Sequence, residues 1–219
     1  MVHITIDGLS GTGKSTVCKR LSRKLGILYV DPNNIVNAIS LKCVQKSVNP
    51  TSENDVGNLL QQTKIEFDFS PMGTIVKLDG VNVNNMLGHR MVSQSFYAIS
   101  GLKCVKEYIA KMQEEIMKTT SAIIEGLDVG DVDINKIKYK FFLTADIEQR
   151  VQRKLAALKE KNIYDITYEQ LLNDTIESDN NSYVGEMSKI KLSQEIVMID
   201  TTDKTVEDVV AEITKVVEV

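Results

Sequence analysis

The sequence predicts an α/β fold: a five-stranded parallel sheet flanked by helices, with a smaller domain inserted near the middle of the chain. Three observations carry this. Residues 2–16, VHITIDGLSGTGKST, read as an apolar strand, a glycine-rich turn and the opening of a helix. Further on, short continuous apolar runs alternate with stretches of helical spacing, the pattern of strands covered on both faces. Between residues 47 and 118 the alternation gives way to short strands with turn signals, and then it resumes.

In chain order, the first helix runs from Lys14 to Leu25, with Val17, Cys18, Leu21 and Leu25 at helical spacing and Gly26 as its stop. Residues 27–30 form a second buried strand ending at Asp31. Pro32 suits the first turn of a helix that reaches about residue 44, with Asp31 as N-cap. In the insertion, NPTSEND reads as polar turn material. FDFSPMGTIVKLDGVNVNNML reads as short strands, with turns at Ser70-Pro71-Met72-Gly73 and Asp79-Gly80. Residues 89–118 are helical, interrupted near Ser100-Gly101. Strands three and four are Ala122–Glu125 and 139–143. A helix over 146–161, capped by Thr144 or Asp146, and another over 168–177 follow. A fifth strand at 196–199 and a helix over 205–217 close the fold. Ligand is expected at the carboxyl ends of these strands, where the glycine-rich loop also lies.

The 219 residues suffice for one well-buried core plus the insertion. A net charge of −4, with no basic run, argues against nucleic acid as partner. No apolar stretch approaches membrane-spanning length, and the start, MVHITID, lacks the pattern of a signal peptide. Cys18, Cys43 and Cys104 are odd in number and widely spaced, as befits reduced thiols on core or helix faces of a cytoplasmic protein. His3 and His89 lack metal-ligand spacing.

Gly8, Gly13, Lys14 and Ser15 fit the phosphate-loop pattern, with the strand before it and the helix after it that the motif requires. Backbone amides across Gly8, Ser10, Gly11, Thr12, Gly13, Lys14, Ser15 and Thr16 would face the phosphates of ATP, where the helix dipole favours negative charge. Lys14 would reach the β- and γ-phosphates, and Ser15 would ligate Mg²⁺. Three classes carry such a loop. A GTPase needs Asn-Lys-x-Asp, and Asn135-Lys136-Ile137-Lys138 lacks the Asp. A motor ATPase needs more chain. A small-molecule kinase needs an acceptor pocket and a cationic lid, for which the insertion and the Arg150–Lys154 helix are candidates. Arg150, Arg153 and Lys154 recur at helical spacing and can share a face, although a solvated face paired with Glu148 and Glu160 would look the same.

GLSGTGKSTVCKRLSRKLG, LDGVNV, EGLDVG, FFLTADIEQRVQRKLAALKEKN and IDTTD follow, in order and almost without gaps, the pattern of bacterial cytidylate kinases, which this chain resembles over most of its length. The resemblance implies a P-loop kinase fold, with residues 1–46 and 119–219 as core, 47–118 as a monophosphate-binding insert, and a short helical lid at about 150–185. It implies transfer of phosphate from ATP to CMP or dCMP with Mg²⁺, in a monomer whose partners are small nucleotides. It casts Arg153 and Lys154, with Lys14, as catalytic, and Arg150 as ATP-binding. Glu125 would orient Mg²⁺ waters, or be a generic strand-end carboxylate. Asp31, Lys106 and Asp128 fall on the acceptor side.

That side departs from the family pattern. Asn37 and Leu127 stand where arginines are expected, the stretch 178–185 has lost its cations and its second Asp, and Lys106 replaces a planar fork with an ammonium. Each lost charge-assisted hydrogen bond costs about 1.5–3 kcal/mol. Lys42, Lys46, Arg90, Lys103 and Lys111 read as exposed solubilising charges. Weak activity with CMP is therefore expected. Two hypotheses stand: a divergent kinase, with UMP or a small uncharged alcohol as the runner-up acceptor, and a nucleotide-binding protein of the same fold with little transfer and a regulatory or interaction role.

Overall fold

The computed structural model describes residues 1–126, 137–160, 164–191 and 196–217, the stretch 181–191 by its backbone alone. In order the elements are β1 (His3–Gly8), α1 (Lys14–Leu25), β2 (Leu28–Val30), α2 (Pro32–Lys46), α3 (Glu53–Leu60), β3 (Ile65–Asp68), β4 (Ile75–Leu78), β5 (Val81–Asn82), α4 (Arg90–Ser100), α5 (Lys103–Thr119), β6 (Ala122–Glu125), β7 (Tyr139–Thr144), α6 (Ile147–Glu160), α7 (Tyr168–Lys191), β8 (Ile196–Asp200) and α8 (Val206–Val216). Five strands form one parallel sheet in the order β2-β6-β1-β7-β8, flanked by helices, as the alternating pattern requires. No described helix is long and apolar enough to cross a membrane.

The chain divides into two compact units, Met1–His3 with Ser22–Asp133, and Ile4–Leu21 with Ile134–Val219. The second holds the phosphate loop. There β1 pairs with β7 so that Ile4 lies opposite Tyr139 and Gly8 opposite Leu143, and β7 pairs with β8. β7 is buried on both faces from Tyr139 to Leu143, which explains why it reads as a continuous apolar run, whereas β8 buries only Ile199 and leaves Val197 and Met198 exposed. α8 starts with a reciprocal cap: Thr205 Oγ1 accepts from the Asp208 amide at 3.2 Å, and the Asp208 carboxylate accepts from the Thr205 amide at 3.0 Å. The Asp146 carbonyl takes the first helical bond of α6, from Arg150 N–H at 3.0 Å.

In the first unit, Asp31 caps α2 by accepting from Asn33 N–H at 2.9 Å, with Pro32 at the first helical position. Ile35, Ile39, Val56, Ile99, Val105 and Ile109 anchor a core beneath the small antiparallel sheet β3-β4-β5. Its β4–β5 turn is Asp79-Gly80, with both residues at positive φ, as the Asp-Gly signal predicts.

Three expectations are corrected. Part of the NPTSEND stretch read as turn begins helix α3: Ser52 caps it by accepting from Asp55 N–H, Glu53 and Asp55 lie in the first turn, and Val56 and Leu60 are buried four residues apart. α7 does not stop at residue 177 but runs on to Lys191, through the polar residues 178–182. Lys42, read as an exposed charge, is buried; its ammonium pairs with Asp79 at 2.9 Å and donates to the Gln62 carbonyl.

Candidate functional site

The loop after β1 is shaped by its own bonds. The Asp7 carboxylate accepts from Gly8 N–H at 2.7 Å. Both the amide and the hydroxyl of Thr12 donate to the Leu9 carbonyl, at 3.3 and 2.8 Å, closing a turn. Val17 N–H then bonds the Gly13 carbonyl at 3.0 Å and α1 is under way, so its positive dipole end faces the loop. A Cβ at Gly8 would stand 2.2 Å from the Leu143 carbonyl oxygen. Gly11 and Gly13 take φ of +86° and +94°, which other residues rarely adopt. Lys14 Nζ arches over the loop onto the carbonyls of Gly8 and Leu9, at 2.6 and 3.1 Å. Ser15 is the second residue of α1, and Ser10 and Thr16 are exposed. The strand, glycine-rich loop and helix thus follow one another as the sequence predicts.

Beside the loop lies a cavity of about 540 Å³. Gly11, Gly13 and Thr16 form one wall. Gln149, Arg153 and Ala157, four residues apart, put one face of α6 on another. The turn between β8 and α8 supplies Thr201, Lys204 and Thr205. Its volume is in the range of small-ligand pockets. The sequence reading gave this last wall no role, although IDTTD and the capping pair after it were visible signals.

The three α6 cations do not share one task. Arg153 is held at the cavity by Thr201, with Nη2 on its carbonyl at 2.6 Å and Nη1 on its hydroxyl at 3.1 Å. Lys154 lines the cavity and donates to Thr175 Oγ1 at 2.9 Å. Burial holds its ammonium below the usual lysine range, helped by the positive charges of Arg150 and Lys14 against Asp179 and Asp174. Arg150 is 3% exposed and sits behind the loop, bonded to Ser10, Ala145 and Asp179 rather than facing the cavity. Glu148 and Glu160 are partners to none of the three among the described contacts.

In the first unit, Glu125 ends β6, buried, with the Tyr29 hydroxyl donating to its carboxylate. Asp31 holds its capping bond, and Lys106 is exposed on α5. Asp128, like Leu127, lies outside the described residues, as does the side chain of Ser182. Among the described residues no group of three or more His, Cys, Asp or Glu side chains comes together as a metal cage.

Residues 4–219 match the family model described as cytidylate kinase. Similar proteins include the cytidylate kinase of Caldicellulosiruptor saccharolyticus, 31% identical over 212 residues covering 97% of this chain and 93% of that protein. The cytidylate kinase of Caldanaerobacter subterraneus subsp. tengcongensis is 32% identical over 209 residues, covering 95% and 91%. Among solved structures, shikimate kinase from Bacteroides thetaiotaomicron aligns over 100% of this chain and 99% of its own, with TM-score 0.53 and 15% identity, a likeness of fold alone. With the family model spanning nearly its whole length and relatives matching almost end to end, the chain belongs to the cytidylate kinase family.

Proposed function

We infer that the protein transfers the γ-phosphoryl group of ATP to CMP or dCMP, giving ADP and CDP or dCDP. The observation that carries this is the phosphate cradle of residues 8–16 opening, within one compact unit, onto a cavity walled by Arg153 and Lys154. An oxygen of the acceptor phosphate attacks the γ-phosphorus in line. The bond to the β–γ bridging oxygen breaks, and its electron pair leaves with ADP. Such transfer needs positioning and charge neutralisation more than covalent help. The loop amides and Lys14 hold the β- and γ-phosphates, while Arg153, fixed by Thr201, and Lys154 meet the charge that spreads over the moving group. Arg150 serves the same site from behind the loop.

Ser15, the second residue of α1, offers a hydroxyl that fits a magnesium ion which keeps waters and takes its other ligands from phosphates. When bound, Mg²⁺ supplies charge neutralisation on the phosphate oxygens. Residues 47–118 serve as the acceptor-binding insert, with Asp31, Lys106 and Asp128 on the acceptor side, and the helical hairpin from about residue 150 to 185 serves as the lid. The protein is read as a cytoplasmic monomer acting on free nucleotides, without nucleic acid or membrane partners. The alternative of a nucleotide-binding protein with little transfer is not favoured, since the family model and the two relatives at about 30% identity are cytidylate kinases.

The test is ADP release against a panel of ribo- and deoxyribonucleoside monophosphates, with Lys14→Ala as control. Release with CMP and dCMP that Lys14→Ala abolishes supports the reading. Release only with another acceptor, or none with any, overturns it.

A further inference from the structure

We propose that Asp179 is a positioning residue for phosphoryl transfer, acting on the phosphate loop through Arg150; the inference rests on the kinase reading above. Arg150 carries a planar fork of five donors in fixed geometry. Asp179 takes both ends of it, Oδ1 from Nη1 at 3.0 Å and Oδ2 from Nη2 at 2.6 Å. A carboxylate bound in this two-point way fixes the plane of the guanidinium. In that plane Nε reaches the Ala145 carbonyl at 3.0 Å, and Nη1 reaches the carbonyl of Ser10 at 3.2 Å.

The Ser10 contact links this clamp to the chemistry. A peptide unit is planar, so the Ser10 carbonyl and the Gly11 amide turn together as one plate. Anchoring that carbonyl against Arg150 aims the Gly11 N–H, a donor of the cradle, to the opposite side. The loop has little room to slip past the clamp, because a Cβ at Gly11 would already touch Arg150 main chain at 2.9 Å.

Asp179 belongs to a two-rung ladder between antiparallel helices. Arg150 and Lys154 are four residues apart on α6, and Asp179 and Thr175 are four apart on α7, so that Arg150 meets Asp179 and Lys154 meets Thr175. Docking of α7 therefore sets the plane of Arg150, and Arg150 sets the plate at Ser10–Gly11. Without Asp179 a buried guanidinium would keep only neutral carbonyls, a costly state from which it escapes by rotating.

The experiment compares wild type with Asp179→Asn, which keeps the shape and removes the charge, with Arg150→Gln, and with the double variant. Amide hydrogen exchange of residues 8–13 is read without nucleotide, and KM for ATP, KM for CMP and kcat are read with it. In Asp179→Asn, exchange in the loop should quicken and KM for ATP should rise about tenfold, the size expected of a coupled group outside direct contact. KM for CMP should stay unchanged. In the Arg150→Gln background, adding Asp179→Asn should change KM for ATP by less than about twofold. A rise confined to KM for CMP would mean direct acceptor contact and would overturn the proposal. So would effects that multiply in the double variant, or a lower melting temperature with loop exchange unchanged. Loop exchange needs no ligand, so a wild-type protein that fails to use ATP would sink the kinase reading separately from this clamp.

Discussion

Two glycines of the loop share one backbone strain but differ in what surrounds them, so substituting each by alanine separates folding from nucleotide binding. Gly11 and Gly13 have φ of +86° and +94°, and an L-residue there costs about 1–2 kcal/mol. At Gly13 a Cβ would meet nothing within 4 Å. At Gly11 it would stand 2.9 Å from the carbonyl oxygen of Arg150 and 3.0 Å from its Cβ. The start of α6 must then shift, which adds about 1–3 kcal/mol of overpacking. For a chain of this size 1 kcal/mol moves the melting temperature by about 2–4 °C. Gly13→Ala should therefore lower it by about 2–8 °C, and Gly11→Ala by a further increment of about 2–12 °C. Saturating ATP raises the stability of wild type by about 2.7 kcal/mol at a hundred times its dissociation constant. In Gly13→Ala that rise should vanish, because the methyl group would stand in open space at a residue that lines the cavity. Thermal unfolding with and without ATP–Mg²⁺ reads both effects. Equal melting losses in the two variants, or a full ATP response in Gly13→Ala, would refute the reasoning.

Three further outcomes follow from particular contacts. Thr201 is 2% exposed, and its hydroxyl lies 3.1 Å from the Thr12 carbonyl, 3.0 Å from that of Thr144 and 3.1 Å from Arg153 Nη1. Thr201→Val should cost about 1–3 kcal/mol in denaturant unfolding and lower kcat, while Thr201→Ser keeps both. Asp79→Asn strips the buried Lys42 of its counter-charge; because the Asp79 side chain is 47% exposed and screened, the loss should be about 1–2 kcal/mol. Burial pushes the Asp79 carboxyl up, but the Lys64 amide and the Lys42 ammonium outweigh it and hold the group below the usual aspartate range. Its contribution is thus present above the unfolded value of about 3.9 and is lost as pH falls through the lower folded value, so unfolding curves of wild type and Asp79→Asn should converge in acid. Lys154, depressed by burial, should give kcat/KM for ATP an alkaline limb below the usual lysine value of about 10.4, and Lys154→Arg should remove that limb from the pH–rate profile.

What the sequence revealed about this molecule was local. The phosphate loop, the apolar strands and the Asp79-Gly80 turn are written in neighbouring residues, and each appears where its spacing puts it. The extension of α7 was hidden because Ser178, Asp179, Asn180 and Asn181 favour turns when read alone, and the bond from Arg150 to Asp179 joins residues 29 apart. The burial of Lys42 depends on Asp79, 37 residues away, and the strut beneath Ser10 on a residue 140 away. Periodicity says which face of a helix is wet; it does not say which charge on that face has found a partner. For that reason Arg150, Arg153 and Lys154 read as one cationic stripe and turn out to hold three separate positions.

The acceptor side poses an energetic question that these placements narrow. Among the cations of α2 and the insert, Lys42 is consumed by Asp79 and Lys103 pairs with Glu107 at the surface, whereas Lys46, Arg90, Lys106 and Lys111 stand exposed. A monophosphate brings nearly two negative charges, and an ammonium neutralises charge without the planar two-point grip of a guanidinium. Contacts of this kind hold the acceptor phosphate equally before and during transfer. Their loss is a loss of uniform binding, which raises KM and leaves kcat in place. In the proposed reaction the groups that meet the moving phosphoryl are a different set, Lys14, which lies over the loop, and Arg153, which is bonded to Thr201. Weak activity with CMP in this chain should therefore take the form of a high KM for the acceptor beside an ordinary KM for ATP, with a turnover number set by a donor site that has kept its parts.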